Sequence, residues 1–185
     1  MVPEITDMDM PVEGVFHNLV ITKINKEYAG QGQKVMNAMW GAGQMMFNKI
    51  LVLSDGEQRI QEYEDLARYI FRNLNPSTDI YFSTGPMDVL DHSCSKLGFG
   101  GKMCIDGTSK TYEEIDEAYT PVEIYDQWNG AFLTQQFPEI RSFNDSLVKK
   151  GIPCILVSVE KNRPGHVAAL HESICSIPEI GRAHV

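Results

Sequence analysis

Two apolar periods alternate along this chain, and together they outline a βαβαβ core. Val15 to Ile24 is β-rich, with Val15, Leu19, Ile21 and Ile24 apolar, and predicts a strand. A polar turn follows at Asn25–Gly30. From Gln31 to Gly43 the apolar or small residues Val35, Ala38, Met39 and Ala42 fall three to four apart, which is helical spacing. Gly32, Gly41 and Gly43 each weaken such a helix by about 1 kcal/mol if interior. Close packing against a sheet or a neighbouring subunit is the expected compensation. Asn48 to Ser54 is short, apolar on both faces and closed by Asp55-Gly56, the profile of a central parallel strand. Glu57 to Leu74 carries a stripe of Ile60, Tyr63, Ala67, Ile70 and Leu74, widened by Leu66 and Phe71, and predicts a second helix stopped by Asn75-Pro76. Asp79 to Ser83 predicts a third strand. This order implies an α/β fold, a mainly parallel or mixed sheet with flanking helices.

Beyond residue 110 the pattern loosens. Thr111 to Pro121 is acidic and partly helical. Ile124 to Lys150 predicts a helix bearing Tyr125, Trp128, Phe132 and Phe137, broken at Pro138, then a short helix whose left-handed cap would be Gly151. The pattern then restarts. Gly151–Val159 echoes Gly14–Thr22 at an offset of 137 residues (Gly14 to Gly151), and Val167–His171 echoes Val35–Met39. That spacing is too long for a solenoid. It suggests a duplicated βα unit, of which 151–179 is an incomplete second copy.

Composition narrows the function. With 185 residues, 43% hydrophobic and 22% charged, the chain has the make-up of one ordinary globular domain, or of one and part of another. A net charge of −9 argues against a nucleic-acid partner, which would require clustered Lys and Arg. No apolar run approaches the roughly 20 residues that span a bilayer. Cys94, Cys104, Cys154 and Cys175 show no Cys-x-x-Cys spacing, and reduced thiols in a cytoplasmic protein are the plain expectation.

The densest chemistry lies between Thr84 and Lys110, where glycines and Pro86 are interleaved with Asp88, Asp91, His92, Cys94, Lys102, Cys104 and Asp106. Following a strand, this segment is expected to leave the carboxyl edge of the sheet, where open α/β folds place ligands. Asp91, His92, Cys94, Cys104 and Asp106 are metal-type ligands but match no common zinc spacing. Gly98-Phe99-Gly100-Gly101-Lys102 lacks the spacing of a phosphate cradle. His17, among apolar neighbours, receives no role. Met36, Met39, Met45 and Met46 are expected to fill core or interface gaps, and Trp40 and Gln44 to mark a subunit contact.

Thr84–Cys94 and Leu97–Lys110, together with Gly14-Val15-Phe16-His17-Asn18-Leu19-Val20-Ile21 and Ala38-Met39-Trp40-Gly41-Ala42-Gly43-Gln44-Met45, resemble the carboxy-terminal domain of UbiD-type decarboxylases in order and spacing from about Pro3 to Lys110. The resemblance implies a carboxy-lyase acting on aromatic or α,β-unsaturated acids with prenylated FMN and a divalent metal. Quinone biosynthesis is one role of that family. Its catalytic arginine and glutamates and its metal ligands belong to an upstream domain, and no position here matches them. The resemblance therefore implies no catalytic, cofactor-binding or metal-binding residue in this chain, and makes Met87 and Val89 the substrate-facing residues of a segment over the cofactor cleft.

The expected organisation is an interdomain connection over 1–13, the α/β domain over 14–110, a helical connection over 111–150 and the incomplete unit over 151–179. Ile180 to Val185 reads like a translated sequencing adapter, so truncation at both ends is expected. The expected partners are the upstream flavin domain of the same chain, a small unsaturated or aromatic acid and further copies in a homo-oligomer, with no nucleic acid. Two other readings stay open: a structural oligomerisation domain of a larger assembly, and a flavodoxin-like small-ligand module.

Overall fold

The computed structural model describes residues 2–94, 96–115 and 130–177, and the chain divides into two units, residues 1–119 and 120–185. In the first unit β1 (Ile5–Asp9), β2 (Leu19–Ile24), α1 (Gln31–Gly41), β3 (Ile50–Ser54), α2 (Tyr63–Asn73), β4 (Ile80–Pro86) and β5 (Phe99–Asp106) follow in that order. The strands form one mixed sheet, β1-β2-β3-β5-β4. β2, β3 and β5 run parallel, with Leu19 opposite Ile50 and Ile50 opposite Met103. β1 and β4 are antiparallel edges.

Strand alternation divides the core into two layers. Val20, Ile24, Leu51, Leu53 and Cys104 point towards α1 and pack with Val35, Met36 and Met39. Ile21, with Val52 and Ile105, points the other way and packs with Ile60, Leu66 and Ile70 at α2. Each fully buried aliphatic side chain contributes about 1.5–3 kcal/mol. Gly32 is required where α1 approaches β5, because a Cβ there would meet Asp106 Oδ2 at 2.0 Å. Gly41 faces open space.

Several elements differ from the expectations. The strand predicted from Val15 begins only at Leu19, since Val12–Gly14 and Phe16–Asn18 are short 3-10 turns. Gly14 turns back onto Leu19, so that a Cβ on it would lie 2.4 Å from Leu19 Cβ. α1 stops at Gly41, and Gly43 takes φ +63°. α2 starts at Tyr63 instead of Glu57. Ile60 is a fully buried plug on the preceding turn, and Tyr63 turns outward to donate to Asp9 Oδ2 at 2.9 Å.

The strand predicted at 79–83 is the antiparallel edge β4, and of Gly98–Lys102, expected to be loop, all but Gly98 enters the sheet as the start of β5. Glycine serves β5 through close approach. A Cβ on Gly100 would meet Cys94 Sγ at 2.7 Å and Met87 Cγ at 3.3 Å.

The second unit holds α3 (Ala131–Gln136), β6 (Ile140–Asn144), α4 (Ser146–Lys149), β7 (Leu156–Val159) and α5 (His166–Cys175). β6 and β7 pair antiparallel over a core of Leu133, Ile140 and Leu170. The helix predicted over 124–150 is thus interrupted by a strand. A register shift between Ile140 and Ser142 breaks the alternation that would have marked it. The expected left-handed Gly151 is present at φ +78°. Its N–H donates to Val148 O and that of Ile152 to Leu147 O, closing α4. Tyr125 and Trp128 of the predicted helix, and the whole of 180–185, lie outside the described residues.

Candidate functional site

The direction of β4 decides where the chemistry-rich segment sits. Because β4 is antiparallel, its last residue Pro86 lies opposite Phe99, the first residue of β5. The connecting loop 87–98 therefore stands at the amino edge of β2, β3 and β5. The expected carboxyl-edge position is corrected: a strand's chain order does not determine its direction in a mixed sheet.

Two residues that precede parallel strands hold this loop. His17, before β2, places Nε2 3.3 Å from Asp88 Oδ2. Lys49, before β3, donates from Nζ to Asp91 Oδ2 at 2.8 Å and to Ser93 Oγ. Asp91 also accepts from Ser93 N at 2.9 Å and from Cys94 Sγ at 3.2 Å. Burial raises the Asp91 carboxyl, but the hydrogen bonds from Lys49, Ser93 and Cys94 outweigh it and hold it well below the usual carboxylate range. Cys94 Sγ donates to Asp91, and this hydrogen bond, with burial, raises the thiol.

Beneath the loop, Lys102 is buried in β5. Its Nζ donates to Met46 O at 2.7 Å and Asn48 O at 2.5 Å and lies 5.8 Å from the centroid of the Trp40 ring. Burial pushes its pKa down to about 8. Asn48 donates to His17 O and Ile50 O, both at 2.8 Å, and accepts from Trp40 Nε1 at 3.2 Å. Sequence reasoning missed Lys49 and Asn48 and gave His17 no role. Their loop partners are distant in sequence, and the only available signal was their position just ahead of two apolar strands.

Of the predicted substrate-facing residues, Met87 is 1% exposed and packs inward near Gly100, whereas Val89 is 63% exposed beside Leu90 at 66%. Asp91 and Cys94 come together; Asp106 lies at the opposite edge of the sheet. Among the described residues no group of three or more His, Cys, Asp or Glu could hold a metal.

Loss of the Asp91 charge should show in acid. A carboxyl held below its ordinary 3.8 contributes stability that is fully present above that value and is lost as pH falls through the folded-state value. Asp91→Asn should therefore lower the urea midpoint at pH 6, and the gap from wild type should narrow steadily below about pH 4. A gap independent of pH would remove the ionised carboxylate from the anchor.

The carboxyl edge is closed by the chain itself. Lys26 Nζ pairs with Glu114 Oε2 at 2.6 Å and donates to Thr108 Oγ1 and Ser109 O. Glu114 also accepts from Gly30 N–H at 2.8 Å, at the amino end of α1, and from Thr111 N–H at 2.9 Å. Burial raises the Glu114 carboxyl, but these bonds hold it below the usual range. Asp55 binds Ser109 and Tyr69, and Lys110 pairs with Asp79 at 3.0 Å. Where a flavin phosphate would seek helix amides, a glutamate already sits. The described residues therefore do not fit that group.

The family model described as the 3-octaprenyl-4-hydroxybenzoate carboxy-lyase C-terminal domain, UbiD_C, matches residues 1–107. The chain belongs to the UbiD family. Among solved structures, vanillic acid decarboxylase of Sedimentibacter hydroxybenzoicus in its closed form is 20% identical with a TM-score of 0.57 over 72% of this chain and 28% of that one. The UbiD-class enzyme HmfF of Pelotomaculum thermopropionicum, in complex with FMN, is 19% identical with a TM-score of 0.53 over 68% of this chain and 29% of that one. At such identities the likeness is one of fold.

An uncharacterised protein of Aquifex aeolicus is 40% identical over 112 residues, 60% of this chain and 23% of that protein. One of Helicobacter pylori J99 is 32% identical over 165 residues, 86% of this chain and 25% of that protein, so that match reaches into the second unit. The UbiD chain described here spans about a quarter of the length of these curated relatives. No helix among its described residues is long and apolar enough to cross a membrane.

Proposed function

We propose that this chain is the carboxy-terminal part of a UbiD-like decarboxylase acting on an aromatic or α,β-unsaturated acid, and that its first unit covers a cofactor cleft and aids assembly. The prenylated FMN and its divalent metal would be held by an upstream part of the same polypeptide. The observation that carries this reading is the loop 87–98: its base is fastened by His17–Asp88 and Lys49–Asp91, while its tip offers Val89 and Leu90 to the outside. The charged groups at that edge bind the loop to the sheet. Beside them the loop exposes the apolar side chains of Val89, Leu90 and Leu97. Such surface suits the wall of a dry cleft, where exclusion of water strengthens the electrostatics around a departing carboxylate.

Val89 is assigned to the organic part of the acid, and Met87 to supporting the loop from beneath, against Gly100. The flavodoxin-like reading loses support because the Glu114 carboxylate takes the Gly30 amide at the start of α1 and places a negative charge there. The oligomerisation reading is retained as part of the proposal. Cytoplasmic location rests on the spacing of the four cysteines, and a role in quinone biosynthesis on the resemblance alone.

The test is Val89→Asp in the longer parent protein, assayed on a panel of aromatic and α,β-unsaturated acids. An exposed site of this kind should leave stability within about 0.5 kcal/mol, while kcat/KM falls by about 10- to 200-fold, the range that one apolar pocket contact commands. Unchanged kcat/KM across the panel would defeat the assignment of Val89. Decarboxylation by the 185 residues alone would defeat the division of labour.

A further inference from the structure

The second unit repeats the start of the first at one constant offset. Ile5 pairs with Ile24 and Asp9 with Ile21, and 135 residues on, Ile140 pairs with Val159 and Asn144 with Leu156. Both hairpins carry their irregularity after the first pair, at Ile5/Asp7 and Ile140/Ser142. Asn25 N–H donates to Glu4 O, as Glu160 N–H does to Glu139 O, and Gln31 N–H to Tyr28 O, as His166 N–H does to Arg163 O. Gly30 and Gly165, both at φ +75°, open α1 and α5. The sequence begins each copy alike, Pro3-Glu4-Ile5 and Pro138-Glu139-Ile140. The sequence echo, at 137, had the strand on the correct face but two residues out of register.

The copies also bury equivalent positions. Val20, Thr22 and Ile24 under α1 correspond to Ile155, Val157 and Val159 in the core of the second unit, and Val35 and Met39 to Leu170 and Ile174. The difference lies on the other side of the second strand. β2 has β3 beside it, whose Leu51 and Leu53 complete the core beneath α1. β7 pairs only with β6 among the described residues, and α3 packs at β6. A two-stranded sheet is marginal alone, and an open strand edge is a template for pairing.

We infer that the free edge of β7 receives a parallel strand from polypeptide that follows α5 in the longer protein, in the register that β3 takes on β2. The first copy supplies the argument for this occupant: the same hairpin, glycine and helix lead there to a parallel strand, with Ile21 opposite Val52. The curated relatives, about two and a half to three and a half times the length of this chain, are long enough to hold it. This inference is independent of the decarboxylase reading.

The experiment replaces residues 177–185 with a copy of Ala42–Ser54, so that the copied strand follows α5 as β3 follows α1. Hydrogen exchange is then read at the β7 amides directed away from β6. The inference expects exchange there to slow about tenfold or more relative to the unaltered chain. A copy with proline in place of the copied Val52 should abolish the slowing. A second measurement fixes the register. With the native cysteines changed to alanine, Leu156→Cys should form a disulfide with a cysteine at the copied Val52 and not with one at the copied Leu51. Unchanged exchange together with no register-specific disulfide would overturn the inference. So would a concentration-dependent dimer of the unaltered chain in which β7 is already protected, since the occupant would then be a second copy.

Discussion

Glu114→Ala is expected to destabilise the first unit by about 3 kcal/mol, the low end of what removing one partner of a buried pair costs. The reason is Lys26, whose side chain is 2% exposed and whose ammonium rests against the Glu114 carboxylate. Without Glu114 that charge is buried with only Thr108 Oγ1 and Ser109 O to accept from it, and the amides of Gly30 and Thr111 lose an acceptor. The two remaining acceptors keep the loss from reaching the top of the range. Removing both charges together, as Lys26→Met with Glu114→Leu, should restore much of the stability, because a well-packed apolar pair carries no desolvation cost.

The measurement is the urea midpoint at constant slope. It has a pH signature. The Glu114 carboxyl lies below its ordinary 4.5, so its contribution is complete above that value and disappears as pH falls through the folded-state value. A loss below about 1 kcal/mol would mean the pair behaves as an exposed one.

Much of the first unit was legible because its apolar periods are strong. Val20, Leu51 and Leu53 lie on strands that the pattern located, and the Leu66–Ile70 stripe marked α2. What periodicity does not contain is strand direction. The segment after β3 is long enough to reach a parallel or an antiparallel partner, and only the pairing of Pro86 with Phe99 shows that the chain came back down the edge. That reversal moved the chemistry-rich loop to the opposite end of the sheet. β5 was hidden for another reason. Gly98, Gly100 and Gly101 read as a flexible connection, yet Gly100 is small because Cys94 and Met87 lie against it. Composition records the small side chain but not what presses on it. The anchors His17 and Lys49 gave no local signal, since their partners approach only once the sheet has formed. β6 escaped because its bulge breaks the period by which strands are recognised.

The two anchors also share a support, and its removal should be the largest single effect at the amino edge. Asn48 is fully buried. Its amide nitrogen holds the carbonyls of His17 and Ile50, its amide oxygen receives the Trp40 indole, and its own carbonyl receives Lys102. Asn48→Leu keeps the side chain close to the same size but removes both donations to backbone carbonyls and the acceptor of a half-buried indole N–H. At about 0.5–1.5 kcal/mol for each of the three hydrogen bonds lost, the expected loss is about 3 kcal/mol.

Asn48→Asp separates the parts of this effect. It preserves the acceptor for Trp40 and abolishes both donations, so it should recover only a small share of the loss. Because His17 and Lys49 flank the groups that Asn48 ties together, the damage should reach the loop. Hydrogen exchange at residues 88–94 should quicken more in Asn48→Leu than in a core truncation of similar cost, such as Leu51→Ala. Equal exchange in the two variants would assign Asn48 to the core alone and leave the loop resting on its two ion pairs.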